Sequence, residues 1–261
     1  MSTSFLNRST KLLYVQSGKS MLPSVRMLKE DILESVASSA ILEGLDPDQC
    51  QTFIEHGRPR HAERGSFLFQ QGEPATSFFI LIEGRVRLTR IAMDGSQVIL
   101  NYFGPGDGIG IIVALSGLDY PAYAEVLEDS SALSWDRETT RALMIQMPQL
   151  ALNSMELMAN RFATLQGQYL EMATQRVEQR VALTLLRLVR QFGKRVEDGV
   201  LIDMPLSRQD LAEMTGTNIF NVSRILSSWE QEGVVQTGRK RVVLCKAHAL
   251  IQLTEGPAAE T

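Results

Sequence analysis

The chain has 261 residues, is 44% hydrophobic and 21% charged, and carries a net charge of −4. That length holds about two domains, and the composition excludes low-complexity, collagen-like and membrane-spanning classes. Cys50 and Cys245 stand far apart and the chain has three histidines, so a disulfide framework and a clustered metal site are excluded, and a reducing cytoplasm fits.

The first 29 residues hold five Lys/Arg and no acid, without the apolar core of a secretory signal. They read as most of a mobile N-terminal extension over 1–38. From Pro47, "DPDQCQTFIEHG" predicts a short helix. Beyond it Phe67/Phe69, Val86/Leu88 and Val98/Leu100 alternate with polar neighbours, as the core-facing residues of half-buried strands do. Gly72, Gly84, Gly95 and Gly106 recur about every eleven residues, and Asp94-Gly95 is a hairpin signal. Short strands at regular spacing predict a compact β-barrel or jelly roll, closing near Trp135. A helical region over 138–192 follows, broken near Pro148 and Thr174. Within it Met155, Met158, Phe162, Leu165, Tyr169 and Met172 are spaced 3, 4, 3, 4 and 3, a heptad seam. Such a stripe can pack on its own domain. Between a closed barrel and a second domain it reads better as a helix bridging two subunits, and so short a seam requires the dimer to bury barrel surface as well.

Near the C-terminus stands "LSRQDLAEMTGTNIFNVSRILSSWEQEGVV". Leu206, Leu211, Ala212 and Met214 repeat at helical spacing before Gly216, and Ile219, Val222, Ile225, Leu226 and Trp229 do so after it. Ser207 is an N-cap with Asp210 three residues on, and Gly216 supplies the sharp turn. This is the pattern of a helix-turn-helix whose second helix enters the DNA major groove; on pattern alone, a helical hairpin inside a core is the alternative. Over 206–246 there are six Lys/Arg against four Asp/Glu, although the whole chain is acidic. "TGRKRVVL" gathers Arg239, Lys240 and Arg241 at a basic, wing-like hairpin tip. No nucleophile–base pair or phosphate-cradling glycine loop with a lysine points to an enzyme.

Barrel, long helix and winged helix-turn-helix, in that order, resemble the Crp/Fnr superfamily of bacterial transcription regulators over about residues 41–250. The motifs "FQQGEPATSFFILIEGRVRL", "FGPGDGIG", "RVEQRVALTLLRL" and "LSRQDLAEMTGTNIFNVSRIL" carry the resemblance. It implies an α+β fold: a cyclic-nucleotide-binding-like β-roll (jelly roll) over 39–137, a dimerisation helix region over 138–175, a winged helix-turn-helix over 176–250 and a tail over 251–261. It further implies a cytoplasmic homodimer on a palindromic operator in double-stranded DNA, meeting RNA polymerase if it activates, and no membrane partner. By matching position, Ser207, Arg208 and Gln209 would sit at the DNA backbone. Thr217 and Asn218 would open the reading helix, Ile219, Phe220, Ser223 and Arg224 would face bases, and Arg239 and Lys240 would hold phosphate from the wing. Arg224 can satisfy both acceptors of a guanine edge, its alternative being a surface ion pair with Asp210 or Glu213. Phe220 stands where many members carry a glutamate; it suits a thymine methyl rather than a cytosine amine.

For the effector, the cyclic-AMP-responsive members use a glutamate and an Arg-Ser pair where this chain has Ile111 and, allowing a one-residue gap, Tyr120-Pro121. Burying an anionic phosphate without a cation costs roughly several kcal/mol, so cyclic AMP is a poor candidate. The iron–sulfur members need N-terminal cysteines that are absent here, which excludes an Fe–S cluster. What remains is an apolar effector pocket of Ile109, Ile111, Ile112, Leu115, Tyr120 and Tyr123, with Val113 and Leu118 alongside. It resembles the nitric-oxide-responsive (NnrR/Dnr-like) branch, which implies a haem, although His56, His61 and His248 all lie outside the segment. Apolar packing without an effector accounts for the same residues. A small-molecule sensor or signalling adaptor whose winged helix binds protein is the alternative function, separable by the salt dependence of duplex binding.

Overall fold

The computed structural model describes residues 35–255, apart from the side chains of residues 112–114 and 255. Ile112 and Val113 of the expected effector segment therefore lie outside the described side chains. Asp46 caps α1 (Pro47–Glu55) through a reciprocal box with Gln49. Eight strands follow: β1 (Arg58–Ala62), β2 (Phe67–Phe69), β3 (Ser77–Glu83), β4 (Val86–Ile91), β5 (Gln97–Phe103), β6 (Gly108–Ile109), β7 (Tyr123–Val126) and β8 (Ser130–Asp136). They form two antiparallel sheets, ordered β1-β8-β3-β6 and β2-β7-β4-β5, with α2 (Ile111–Ser116) between β6 and β7. This is the expected β-roll.

The unbroken apolar run of β3 is explained by cover on both faces. Phe79 and Leu81 point between the sheets, toward Phe69, Phe103 and Tyr120. Phe78, Ile80 and Ile82 point outward to Phe53, Trp135 and Leu150. At the β3–β4 turn Gly84 has φ +98°, and a Cβ there would lie 2.0 Å from the Ser130 hydroxyl. Only glycine makes that turn.

Two expected core pairs are corrected. Val98 is 42% exposed while its neighbour Ile99 is buried, and Phe67 is exposed while Phe69 is buried. The ladders shift register between Leu88 and Thr89 and between Phe67 and Phe69. A bulge of this kind changes which residues face the core. Ile99 and Tyr102 of β5 join the core of the C-terminal domain instead.

The helical region breaks where expected, into α3 (Arg137–Gln146), α4 (Pro148–Thr174) and α5 (Val177–Phe192). The C-terminal domain adds β9 (Gly193–Val196), β10 (Gly199–Ile202), α6 (Arg208–Thr215), α7 (Ile219–Gln231), β11 (Val235–Gly238), β12 (Arg241–Leu244) and α8 (Ala247–Glu255), with sheet order β11-β12-β10-β9. Two expected boundaries move. Val36, assigned to the extension, is fully buried against Ile41, Phe53 and Leu150. The expected tail begins as helix, because α8 buries Leu250 in the core shared with α5 and Gln179 Nε2 donates to the Leu253 carbonyl at 3.1 Å. Residues 1–34 and 256–261, with most of the extension and the rest of the tail, lie outside the described residues. No helix among the described residues is long and apolar enough to cross a membrane.

Candidate nucleic-acid interface

The helix pair is built by local capping. The Ser207 hydroxyl accepts from the Asp210 N–H at 3.1 Å, and Asp210 Oδ2 accepts from the Ser207 N–H at 2.7 Å. Gly216 ends α6 in the left-handed region at φ +60°. A Cβ on Gly216 would meet the Met172 Cε at 2.3 Å, so α4 and the turn touch. Asn218 opens α7 by accepting from the Asn221 N–H at 2.9 Å, and Asn221 Nδ2 donates to the Thr217 hydroxyl at 3.0 Å. Val222, Ile225, Leu226 and Trp229 are buried, which turns the opposite face of α7 to solvent.

On that face Phe220 is 80% exposed, Asn218, Ile219 and Arg224 are exposed, and Ser223 is half-buried. Arg208 and Thr217 are half-buried, while Gln209 is exposed and donates to Glu213 at 2.9 Å. The wing tip carries Arg239, Lys240 and Arg241, all exposed. Lys240 has φ +54°, the only non-glycine residue with positive φ among those described, and its carbonyl accepts from the Leu206 N–H at 3.1 Å. That bond ties the tip to the start of α6. Glu230 fastens the wing to α7 by accepting from the Thr237 N–H at 2.9 Å. Among the described residues the ion pairs are Arg58–Asp136, Arg87–Glu125, Arg87–Asp210 and Arg187–Glu171, so Arg224 and the wing cations are uncommitted. The alternative pairing of Arg224 with Asp210 or Glu213 is corrected: Asp210 is bound to Arg87 of the β-roll, 123 positions away. Arg224 lines a groove of about 400 Å³ with Arg176, Glu178, Asn221 and Ser228.

The expected effector residues are divided among different surroundings. Ile109 and Tyr120 lie in the core between the sheets, where Tyr120 stacks on Phe69 at 3.8 Å and bonds the Ser77 backbone. Ile111 and Leu115 belong to the outer cluster under α1 and α4, and half-buried Tyr123 stands 5.7 Å from Phe67. Beside this segment the sequence reading missed a cation: Arg161 on α4 donates to the Gly108 carbonyl and lies 5.3 Å over the Phe103 ring. Burial pulls its pKa down, against the attraction of Asp107. Nothing in the heptad pattern distinguishes this arginine from a solvated one. His56, His61 and His248 are all exposed and lie outside residues 109–123 in the sequence, so the segment itself supplies no histidine for a haem. Among the described residues no group of three or more His, Cys, Asp and Glu could hold a metal.

The seam residues Met155, Met158, Phe162, Leu165, Tyr169 and Met172 are 44–78% exposed in the single chain. The side of α4 facing its own roll is set instead by Leu150, Asn153, Ser154, Leu157 and Arg161.

Residues 59–147 match the family described as "Cyclic nucleotide-binding domain", and residues 179–253 match "Crp-like helix-turn-helix domain". The chain is 29% identical over 220 residues to the Cyclic AMP receptor protein of Thermus thermophilus, covering 84% of this chain and 99% of that one. It is 28% identical over 214 residues to the Transcriptional activator protein anr of Pseudomonas aeruginosa, covering 81% and 85%. The solved structure of FixK2 from Bradyrhizobium japonicum superposes with a TM-score of 0.68 at 24% identity, over 77% of this chain and 99% of that one. A cyclic-nucleotide-binding-type roll joined by a long helix to a winged helix-turn-helix defines a DNA-binding transcription regulator, not an enzyme. The chain belongs to the Crp/Fnr family of such regulators.

Proposed function

We propose that the chain works in the cytoplasm as a homodimer on a palindromic operator, reading bases through Arg224, Ser223, Ile219 and Phe220 on α7. Ser207, Arg208 and Gln209, with Thr217, Asn218 and the wing residues Arg239 and Lys240, hold the DNA backbone. The observation that carries this reading is the outward face of α7, where an 80% exposed phenylalanine and an uncommitted arginine lie on the helix that the wing flanks. The exposed α4 stripe supports the dimer. A binding titration on a palindromic duplex at several salt concentrations tests it. Steep salt dependence is expected; a protein that binds no duplex would instead be an adaptor whose winged helix binds protein.

We read the effector as other than cyclic AMP. Ile111 is 1% exposed within the core, and Tyr120-Pro121 offers a stacked ring and an imide nitrogen where phosphate ligands would stand. The nitric-oxide-responsive reading needs a haem whose ligand comes from outside residues 109–123. A Soret band in freshly purified protein supports that reading; its absence leaves apolar packing as the role of the segment. An activating role would add contact with RNA polymerase.

A further inference from the structure

Asp210 divides its two oxygens between two domains. Oδ2 accepts from the Ser207 N–H and, at 2.6 Å, from the Ser207 hydroxyl, which closes the cap of α6. Oδ1 accepts from Nη1 of Arg87 on β4, also at 2.6 Å. The rest of the Arg87 fork is held by Glu125 on β7, whose Oε2 lies 2.6 Å from Nη2 and 3.2 Å from Nε. The side chains of Arg87, Asp210 and Glu125 are 17%, 13% and 26% exposed, so water competes weakly for these charge-assisted bonds. Burial opposes the charge on Arg87, yet Glu125 first, with Tyr102 and Asp210, outweighs it and raises its pKa. Ile99 and Tyr102 on β5 add an apolar floor in the core of the C-terminal domain.

Building on the DNA-binding reading above, we propose that Arg87 is a positioning residue for DNA binding. Through Asp210 it fixes Ser207 and α6, and with them α7, against the β-roll. The contact uses the buried side of α6, so the held orientation keeps Phe220, Arg224 and the wing exposed. Glu125 follows Tyr123 on β7, so a displacement in the effector segment reaches Asp210 through one guanidinium.

Arg87→Met keeps the apolar stem and removes both ion pairs. Its affinity should fall about tenfold on cognate and single-mismatch duplexes alike, a coupling of ordinary size for contacting residues. The salt slope should stay unchanged, because no phosphate contact is lost. Arg87→Lys, a point charge without the fork, should lose less; it also carries the test if Arg87→Met fails to fold. Asp210→Asn should weaken binding in the wild-type background and add little to Arg87→Met. Amide hydrogens over 207–211 should exchange faster in Arg87→Met than in the wild type. Unchanged or tighter DNA binding, an altered salt slope, or additive effects of the two substitutions would overturn the proposal. If the wild type itself binds no duplex, the DNA reading fails on its own. Hydrogen exchange then decides the role of Arg87, and unchanged protection at 207–211 overturns it.

Discussion

Replacing Leu165 with glutamate tests the seam on which the dimer rests. In the single chain Leu165 is 50% exposed, so pairing leaves about half a leucine to bury in each protomer, roughly 1 kcal/mol apiece. The six seam residues run from 44% exposed at Met158 to 78% at Tyr169. Burying what remains on both copies is worth roughly 10–20 kcal/mol. Association costs about 4–15 kcal/mol in lost freedom, a similar size, so the pair depends on the whole seam together with the barrel surface buried beside it. Leu165→Glu removes roughly 2 kcal/mol of that burial over two protomers. It also brings two carboxylates together near the two-fold axis, with a desolvation penalty of roughly several kcal/mol. The dimer dissociation constant should therefore rise at least about a hundredfold. Sedimentation velocity across a concentration series measures it. Leu170→Glu is the control: that leucine is 61% exposed but lies about 120° round the helix from the seam, so the variant should remain dimeric. A Leu165→Glu protein that sediments as the wild type does, or a Leu170→Glu protein that splits equally well, would refute the seam.

The readout on DNA makes a paired prediction. Arg224→Ala should weaken binding to the cognate palindrome and relax preference at one base pair per half-site, by roughly 1–3 kcal/mol. Lys240→Ala should weaken all sequences about equally and lower the salt slope by about one phosphate contact. Titrations on cognate and single-mismatch duplexes separate the two, and full discrimination retained by Arg224→Ala but lost by Lys240→Ala would mean that α7 does not read the bases. For the effector, cyclic AMP should neither bind with micromolar affinity nor tighten DNA binding, because Ile111 and Pro121 replace its ligands; a micromolar site in calorimetry would overturn that argument.

Much of the fold was legible because its signals are local. Ser207 with Asp210, Gly216, and the helical spacing of Leu211, Val222, Ile225 and Trp229 each describe a few neighbouring residues, and the caps, turn and buried faces follow them. The glycines at 72, 84, 95 and 106 all adopt positive φ for the same reason. The exposed face of α7, the basic wing tip and the α4 stripe were likewise readable from residue type and period.

What escaped was the identity of each partner. The family resemblance places Ile111 and Tyr120 in one effector segment, but only the packing divides them between two clusters. Alternation favoured Val98, and a register shift with the adjoining C-terminal domain covered Ile99 instead. Arg87 is one of the polar neighbours between Val86 and Leu88, and Asp210 stands in a cap, yet the closed chain joins them at 2.6 Å. The sequence by itself determined which residues form helices, turns and apolar faces, because those choices depend on backbone preference and on neighbours within a few positions. The tertiary structure alone decided what each face meets, because that depends on contacts between residues from about forty to more than a hundred positions apart, which no local pattern encodes.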